Sequence, residues 1–245
     1  MKFYRPLTPL KAMSFDLDDT LYANAPVMVS AEAKMVKYFT KNFCECLTKK
    51  NSGLILDQKF WSTFKLQAIA KQPSLTHDVV ALRLESYFLG ACALGFAPKQ
   101  AQAKAQKALA YFSIVRSQFT VPQASHQLLA KLAHYYPLVA ISNGNVDARA
   151  IGIDHYFKHV FHAIDGVKQK PNAEMFQMAC SKLAIKPQQL LHIGDCGRAD
   201  IQGAIAAGCQ TAWLPLYNIG KPLTVLPHIE LSNITELANL LANKN

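Results

Sequence analysis

The sequence predicts an α/β fold: a Rossmann-like parallel sheet core with an inserted all-helical cap domain. Three observations predict it. Beyond Pro122, short apolar strands alternate with helices to the end of the chain, the pattern of a parallel sheet covered on both faces. One more strand, residues 11–17, stands alone near the N-terminus and runs into a cluster of acids. Between residues 22 and 119 strand signals vanish and helical ones follow one another. The first strand belongs with the later ones, so the predicted division is 1–21 with 120–245 for the core and 22–119 for the cap.

In chain order, Lys11-Ala-Met-Ser-Phe-Asp-Leu reads as a short buried strand. Four helices are then expected at about 27–50, 57–71, 77–94 and 99–115, punctuated by Gly53, Pro73 and Gly95-Phe-Ala-Pro98. In the third, Val80, Leu84, Tyr87, Phe88 and Ala91 recur at helical spacing. A helix at 122–134 leads to the strand Leu138–Ser142, and a short helix precedes the strand His159–Ala163. Helix 172–184 precedes the strand Leu190–Ile193, and helix 199–207 precedes the strand Thr211–Leu214. A strand at 228–231 and a helix at 234–242 complete the pattern.

At 245 residues the chain can bury a full core. No stretch reaches the eighteen or so apolar residues of a membrane span, and the N-terminus lacks the apolar core of a signal peptide. The expectation is a cytoplasmic protein, a monomer or weak dimer, with no membrane and no nucleic-acid partner. Its net charge of +10 is spread without a run of five or six basic residues, which fits a basic surface that attracts phosphorylated metabolites. Six cysteines are scattered; Cys44 and Cys46 are too close for a zinc knuckle and have no matching second pair, so reduced, packed thiols are expected.

In an open α/β sheet the site forms beyond the carboxyl ends of the strands. Four chemically reactive elements stand at such places: Asp16-Leu-Asp18-Asp19-Thr20, Ser142-Asn143-Gly144, Lys170-Pro171, and Gly194-Asp195 with Asp200. Asp16 and Asp18, two apart, point the same way, and two carboxylates so close repel unless a cation or a shared proton relieves them. With Asp195 they make a hard-oxygen set suited to Mg²⁺. One carboxylate can attack phosphorus, a second can move the proton, and Ser142 and Lys170 can hold phosphoryl oxygens. Singly, each element has a plain structural reading: a helix cap, a turn, a surface lysine, a strand-to-helix corner. Together and in order, they argue for one pocket acting on a small phosphorylated metabolite.

These four motifs resemble the haloacid dehalogenase-like hydrolase superfamily. The resemblance implies Asp16 as nucleophile and Asp18 as general acid/base lending its main-chain carbonyl to the metal. It implies Asp195 and Asp200 at a Mg²⁺ site, Thr20 ordering the first loop, and Ser142, Asn143 and Lys170 binding the phosphoryl group. The helical insertion would cover the site and select the substrate. Dehalogenases of this superfamily lack the second acid, so Asp18 favours a phosphatase. Phe3-Tyr4-Arg5-Pro6-Leu7, His77-Asp78-Val79, Val121-Pro122 and Leu226-Pro227-His228-Ile229-Glu230 resemble the proteobacterial phosphatases of flavin mononucleotide (FMN) and 5-amino-6-(5-phosphoribitylamino)uracil. In the insertion, Phe60, Trp61 and Phe64 are aromatic enough to stack on such a ring, and His77, Arg83 and Arg116 are candidates for its polar groups; each has a plain packing or surface reading as well. Cys196 and Arg198 depart from the usual residues beside the metal site. A phosphomutase, a non-enzymatic phosphoacceptor or binding module, and a nucleic-acid binder are the rival readings.

Overall fold

The computed structural model describes residues 1–43, 53–164, 166–216 and 223–241. Its centre is a seven-stranded sheet: β1 (Lys2–Phe3), β2 (Ala12–Phe15), β3 (Leu138–Ser142), β4 (Phe157–His162), β5 (Leu190–Gly194), β6 (Gln210–Trp213) and β7 (Ile229–Glu230). The order across the sheet is β1-β7-β6-β5-β2-β3-β4, and every neighbouring pair is parallel except β1 with β7. The N-terminal strand β2 thus lies between β3 and β5, drawn from more than a hundred residues away. β1 is not among the predicted strands: two residues carry too little pattern to read, and its pairing with Glu230 and Ile229 defines it.

Strands β2, β3 and β5 are buried along their whole length, which is why they read as apolar runs without alternation. Their side chains feed two apolar clusters, one on each face. Met13 and Phe15 join Leu129, Leu132 and Leu237 on one side, while Ala12 and Ile141 join Phe176 and Met175 on the other. Each such large side chain contributes about 1.5–3 kcal/mol by leaving water. α5 (Gln123–Tyr135) covers the first face and α6 (Glu174–Lys182) the second.

Between β2 and β3 run α1 (Asn24–Asn42), α2 (Gln58–Lys71), α3 (Val79–Ala93) and α4 (Pro98–Arg116). They share their own apolar cluster, in which Phe39, Phe43, Trp61, Tyr87 and Phe112 meet. Phe39 is its hub, with ring centroids 4.3 Å from Trp61, 5.1 Å from Tyr87 and 5.3 Å from Phe43.

Some expected elements shift. The first helix was expected to run to residue 50; the part beyond Phe43, with Cys44 and Cys46, lies outside the described residues. The helix expected at 77–94 is α3, which starts at Val79 because Asp78 caps it by accepting the Val80 and Ala81 amides at 3.0 and 2.9 Å; a 3₁₀ turn, Pro73–His77, precedes it. The stretch expected as helix 199–207 starts as a π-helical segment, Gly197–Gln202, and tightens into α7 (Gly203–Ala206). The final helix, Ile234–Leu241, is 3₁₀. No described helix is long and apolar enough to cross a membrane. Cys92, Cys180, Cys196 and Cys209 are free thiols.

Candidate active site

The carboxyl ends of β2, β3 and β5 open on a cleft of about 220 Å³. Asp16, Asp18, Asp19, Ser142, Asn143, Lys170, Asp195 and Asp200 all line it. Asp16 is carried straight off β2, its N–H donating to the Ile193 carbonyl of β5 at 2.8 Å. The chain then turns sharply at Asp19, whose φ of 58° lies in the left-handed region. The Asp19 carboxylate holds the turn by accepting the Asn24 N–H at 2.8 Å, at the start of α1.

Lys170 is the hub of the cleft. Its side chain is 1 % exposed, and its ammonium donates to Asp16 Oδ1 (2.7 Å), Asp200 Oδ1 (2.6 Å) and the Ile141 carbonyl (2.6 Å). Burial pulls its pKa down, but Asp16 and Asp200 pull it up by more, so the ammonium stays charged. Asp200 is equally enclosed. Besides Lys170 it accepts from the Cys196 N–H at 2.9 Å and faces His192 Nε2 at 3.1 Å. Burial raises its pKa, while Lys170 and His192 lower it further, to well below the usual carboxylate range. The wide π-helical turn permits this: the Cys196 carbonyl accepts both the Asp200 and Ile201 amides while the Asp200 carboxylate folds back onto Cys196. A Cβ on Gly194 would overlap that carboxylate, and one on Gly144 would overlap Asp18, so both motif glycines are places of close approach.

Asp16, Asp195 and Asp200 bring carboxylate oxygens within 4.8 Å of one another. Three carboxylates face one ammonium there, an excess of two negative charges that a divalent cation neutralises. The donors are hard oxygens, which suits Mg²⁺ rather than a soft-ligand metal. Burial and mutual repulsion favour the protonated form of two of these acids. Burial first, then Asp200, push Asp195 up to about 7, and burial first pushes Asp16 well above the carboxylate range.

Two of the expected site residues make their side-chain contacts outside the carboxylate cluster. The Asp18 carboxylate is not part of this cluster: it accepts from Tyr22 Oη at 2.8 Å and pairs with the Arg116 guanidinium. The Asn143 carboxamide, expected on the substrate, is spent on Lys170, accepting its N–H at 2.8 Å and donating to its carbonyl at 2.9 Å. Asn143 therefore fixes the loop that aims Lys170. Ser142 is fully buried, and its Oγ accepts the Gly144 N–H at 3.0 Å. Thr20 Oγ1 donates to Asp195 at 3.4 Å.

Of the residues proposed for substrate contacts from the insertion, Phe60 and Phe64 pack against its apolar cluster, and the Trp61 indole donates to the Leu56 carbonyl at 3.2 Å. His77 closes the 3₁₀ turn whose Thr76 carbonyl accepts from Gln169 Nε2 at 2.9 Å. Arg198 is exposed.

Arg116, a candidate for the ring's polar groups, is 2 % exposed and pairs with Asp18. His192 and Tyr22 escaped sequence reasoning. A signal existed for His192: it is the one polar residue in Leu190-Leu-His-Ile193, and a buried imidazole must find partners, here Ser14 Oγ at 2.9 Å and Asp200. His162, also missed, faces the Gly144 carbonyl through Nδ1 at 2.8 Å, and burial lowers its pKa.

A family model described as haloacid dehalogenase-like hydrolase matches residues 10–208, which include every motif of the cleft. The chain belongs to the haloacid dehalogenase-like hydrolase family. The hydrolase is 35 % identical to the 5-amino-6-(5-phospho-D-ribitylamino)uracil phosphatase YigB of Escherichia coli strain K12, over 98 % of this chain and 100 % of that one. It is 27 % identical to the glyceraldehyde 3-phosphate phosphatase of Pyrococcus furiosus, over 95 % of this chain and 92 % of the relative. Among solved structures it resembles a 2-haloacid dehalogenase from Pseudomonas syringae pv. Tomato DC3000. There the TM-score is 0.85 at 28 % identity, covering 96 % of this hydrolase and all of that chain.

Proposed function

We propose that this hydrolase is a Mg²⁺-dependent phosphatase that cleaves 5-amino-6-(5-phosphoribitylamino)uracil or FMN through an aspartyl-phosphate intermediate. The observation that carries the reaction is the cleft itself: a buried Asp16 held by Lys170, with a second carboxylate, Asp18, two residues on and separately anchored. The substrate class is inferred from the similarity to the Escherichia coli phosphatase, which spans both chains almost end to end.

Asp16 attacks phosphorus in line, and the bond between phosphorus and the ribityl oxygen breaks. Asp18 gives its proton to that oxygen. In the second step Asp18 takes a proton from water as the water oxygen attacks phosphorus. The Asp16–phosphorus bond breaks, and inorganic phosphate leaves. Lys170 keeps Asp16 oriented throughout, and Ser142 and main-chain groups of the Ser142–Gly144 turn receive phosphoryl oxygens. Asp16, Asp195 and the Asp18 main chain would hold Mg²⁺, which would supply positive charge between carboxylate and phosphate. Asp200 supports this set by anchoring Lys170. The helices between residues 22 and 119 act as a cap domain on the core formed by 1–21 and 120–245. A cytoplasmic location and a monomeric or weakly dimeric state belong to the same reading.

The test is phosphate release from both esters and from a panel of sugar phosphates and nucleotides, with and without Mg²⁺. Asp16→Asn serves as the blank. Mg²⁺-dependent release favouring the ribityl esters is the expected result; release from other esters alone would discard the substrate while keeping the chemistry. A dehalogenase is the second reading, favoured by the likeness to the Pseudomonas syringae structure. It requires halide release from a 2-haloacid, whereas the anchored Asp18 serves a leaving group that needs a proton.

A further inference from the structure

The helices α1 to α4 line a second, partly open cavity of about 350 Å³. Its walls are aromatic: Phe39, Trp61, Tyr87 and Phe112. Of the four charged groups lining it, Asp57 is spent on capping α2, where it accepts the Phe60 N–H at 3.0 Å, and Lys65 is exposed. Glu32 and Arg83 remain, both partly buried, and among the described residues neither makes an ion pair within 4.0 Å. Arg83 is fixed in place: its guanidinium lies 3.6 Å over the Phe112 ring and donates to Tyr87 Oη at 3.3 Å. A guanidinium stacked on one face keeps its edge donors free for a planar acceptor. Arg83 therefore keeps guanidinium donors, and Glu32 its carboxylate oxygens, that a ligand lying against this apolar wall can pair with.

Two helices that line the cavity, α1 and α4, also reach residues of the catalytic cleft. Phe112 stands one turn, about 6 Å along α4, before Arg116, which holds Asp18. Met28, on the cavity wall, stands one turn after Asn24, whose N–H is bound by Asp19.

We infer that this cavity is the binding site for the ring of the leaving group. Its ligand is a planar, hydrogen-bonding heteroaromatic ring joined to the phosphate through a polyol. Carbonyl oxygens of the ring face Arg83, ring or amino N–H groups face Glu32, and Trp61 with Phe39 flanks the plane. The assignment rests on the phosphatase reading and adds to it the residues that select the substrate.

The experiment compares three esters: FMN, 5-amino-6-(5-phosphoribitylamino)uracil and ribitol 5-phosphate, which keeps chain and phosphate but lacks a ring. In the unaltered enzyme, kcat/KM for a ring-bearing ester is expected to exceed that for ribitol 5-phosphate by about 10-fold or more, the worth of one charge-assisted hydrogen bond. Arg83→Met is expected to collapse that ratio toward one, chiefly through KM. Gly90→Ala tests the wall independently, since a Cβ there overlaps the Trp61 indole and displaces it; the same collapse is expected. A ratio unchanged in both variants, or already near one in the unaltered enzyme, overturns the assignment. Fluorescence titration with riboflavin and with 5-amino-6-ribitylaminouracil needs no turnover. Binding by the unaltered protein that Arg83→Met weakens about 10-fold sustains the site even where no ester is hydrolysed. Absence of binding by both compounds, alongside absence of a ring preference, removes it.

Discussion

The chemistry of the cleft turns on which carboxylate is free to move a proton. Asp16 and Asp200 share one ammonium, while Asp18 stands apart with Tyr22 and a side chain of Arg116 that is 3 % exposed. Asp18→Asn is expected to lower kcat for a ribityl ester by about 10²–10⁴-fold. It should slow p-nitrophenyl phosphate far less, because that leaving group departs without a proton; steady-state kinetics on both esters reads the contrast. Arg116→Met is expected to reproduce the contrast in weaker form, since it leaves Asp18 present but unanchored. Equal losses on both esters would instead mark Arg116 as a purely structural residue. Lys170→Met strands two buried carboxylates and is expected to cost about 3–5 kcal/mol of stability, measured by urea unfolding. Conversion of Lys170 is therefore expected to erode fold and activity together, whereas Asp16→Asn keeps a shape close to the native one and removes the proposed nucleophile.

The elements divide into those whose sequence announces them and those whose partners create them. β2, β3 and β5 were legible because burial on both faces demands unbroken apolar runs, and the acids beyond them were legible because ionised groups end such runs abruptly. α1 to α4 were legible from their period and from the glycines and prolines between them. Besides His192, Tyr22 and His162, three features escaped. β1 exists through pairing with β7, which no local pattern encodes. The π-helical turn at Gly197–Gln202 exists so that Asp200 can fold back onto Cys196, a tertiary demand on a stretch that reads as ordinary helix. The roles of Asn143 and Arg116 depended on atoms far away in the chain: Asn143 carries a polar amide in a motif that looks ligand-directed, and its partner is Lys170. The helical insertion, by contrast, has an apolar centre that its own residues define. Phe39, 1 % exposed, joins three of its four helices, so Phe39→Ala is expected to destabilise the protein by about 3–5 kcal/mol in denaturant unfolding.

For the whole molecule, the acid cluster links metal, proton and folding. Asp195, raised to about 7, and Asp16, raised in the same direction, hold protons that the unfolded chain has released above pH 4. The folded, metal-free protein then binds more protons than the unfolded one between about pH 4 and 7, and its stability falls as pH rises through that window. Asp200 has the opposite sign. Its depressed pKa contributes stability that is present above about pH 4 and is lost as pH falls further. Mg²⁺ needs the deprotonated acids, so its affinity is expected to weaken as pH drops below about 7. Thermal melting at pH 5, 6 and 8, with Mg²⁺ and with a chelator, checks both slopes. The gap between the two melting curves should widen with pH.

Asp16 and Lys170 are separated by 154 positions in the chain yet touch at 2.7 Å. During synthesis the acids of the first loop therefore leave the ribosome long before their counter-charge exists. The nascent N-terminal segment is an apolar strand ending in three aspartates, with neither neighbouring strand to pair it, and β3 and β5 arrive only after the helical insertion has been made. Contacts this distant in sequence slow folding. Hydrolytic competence is thus a property of the finished chain, and no translational intermediate that ends before Lys170 can spend the cell's phosphate esters.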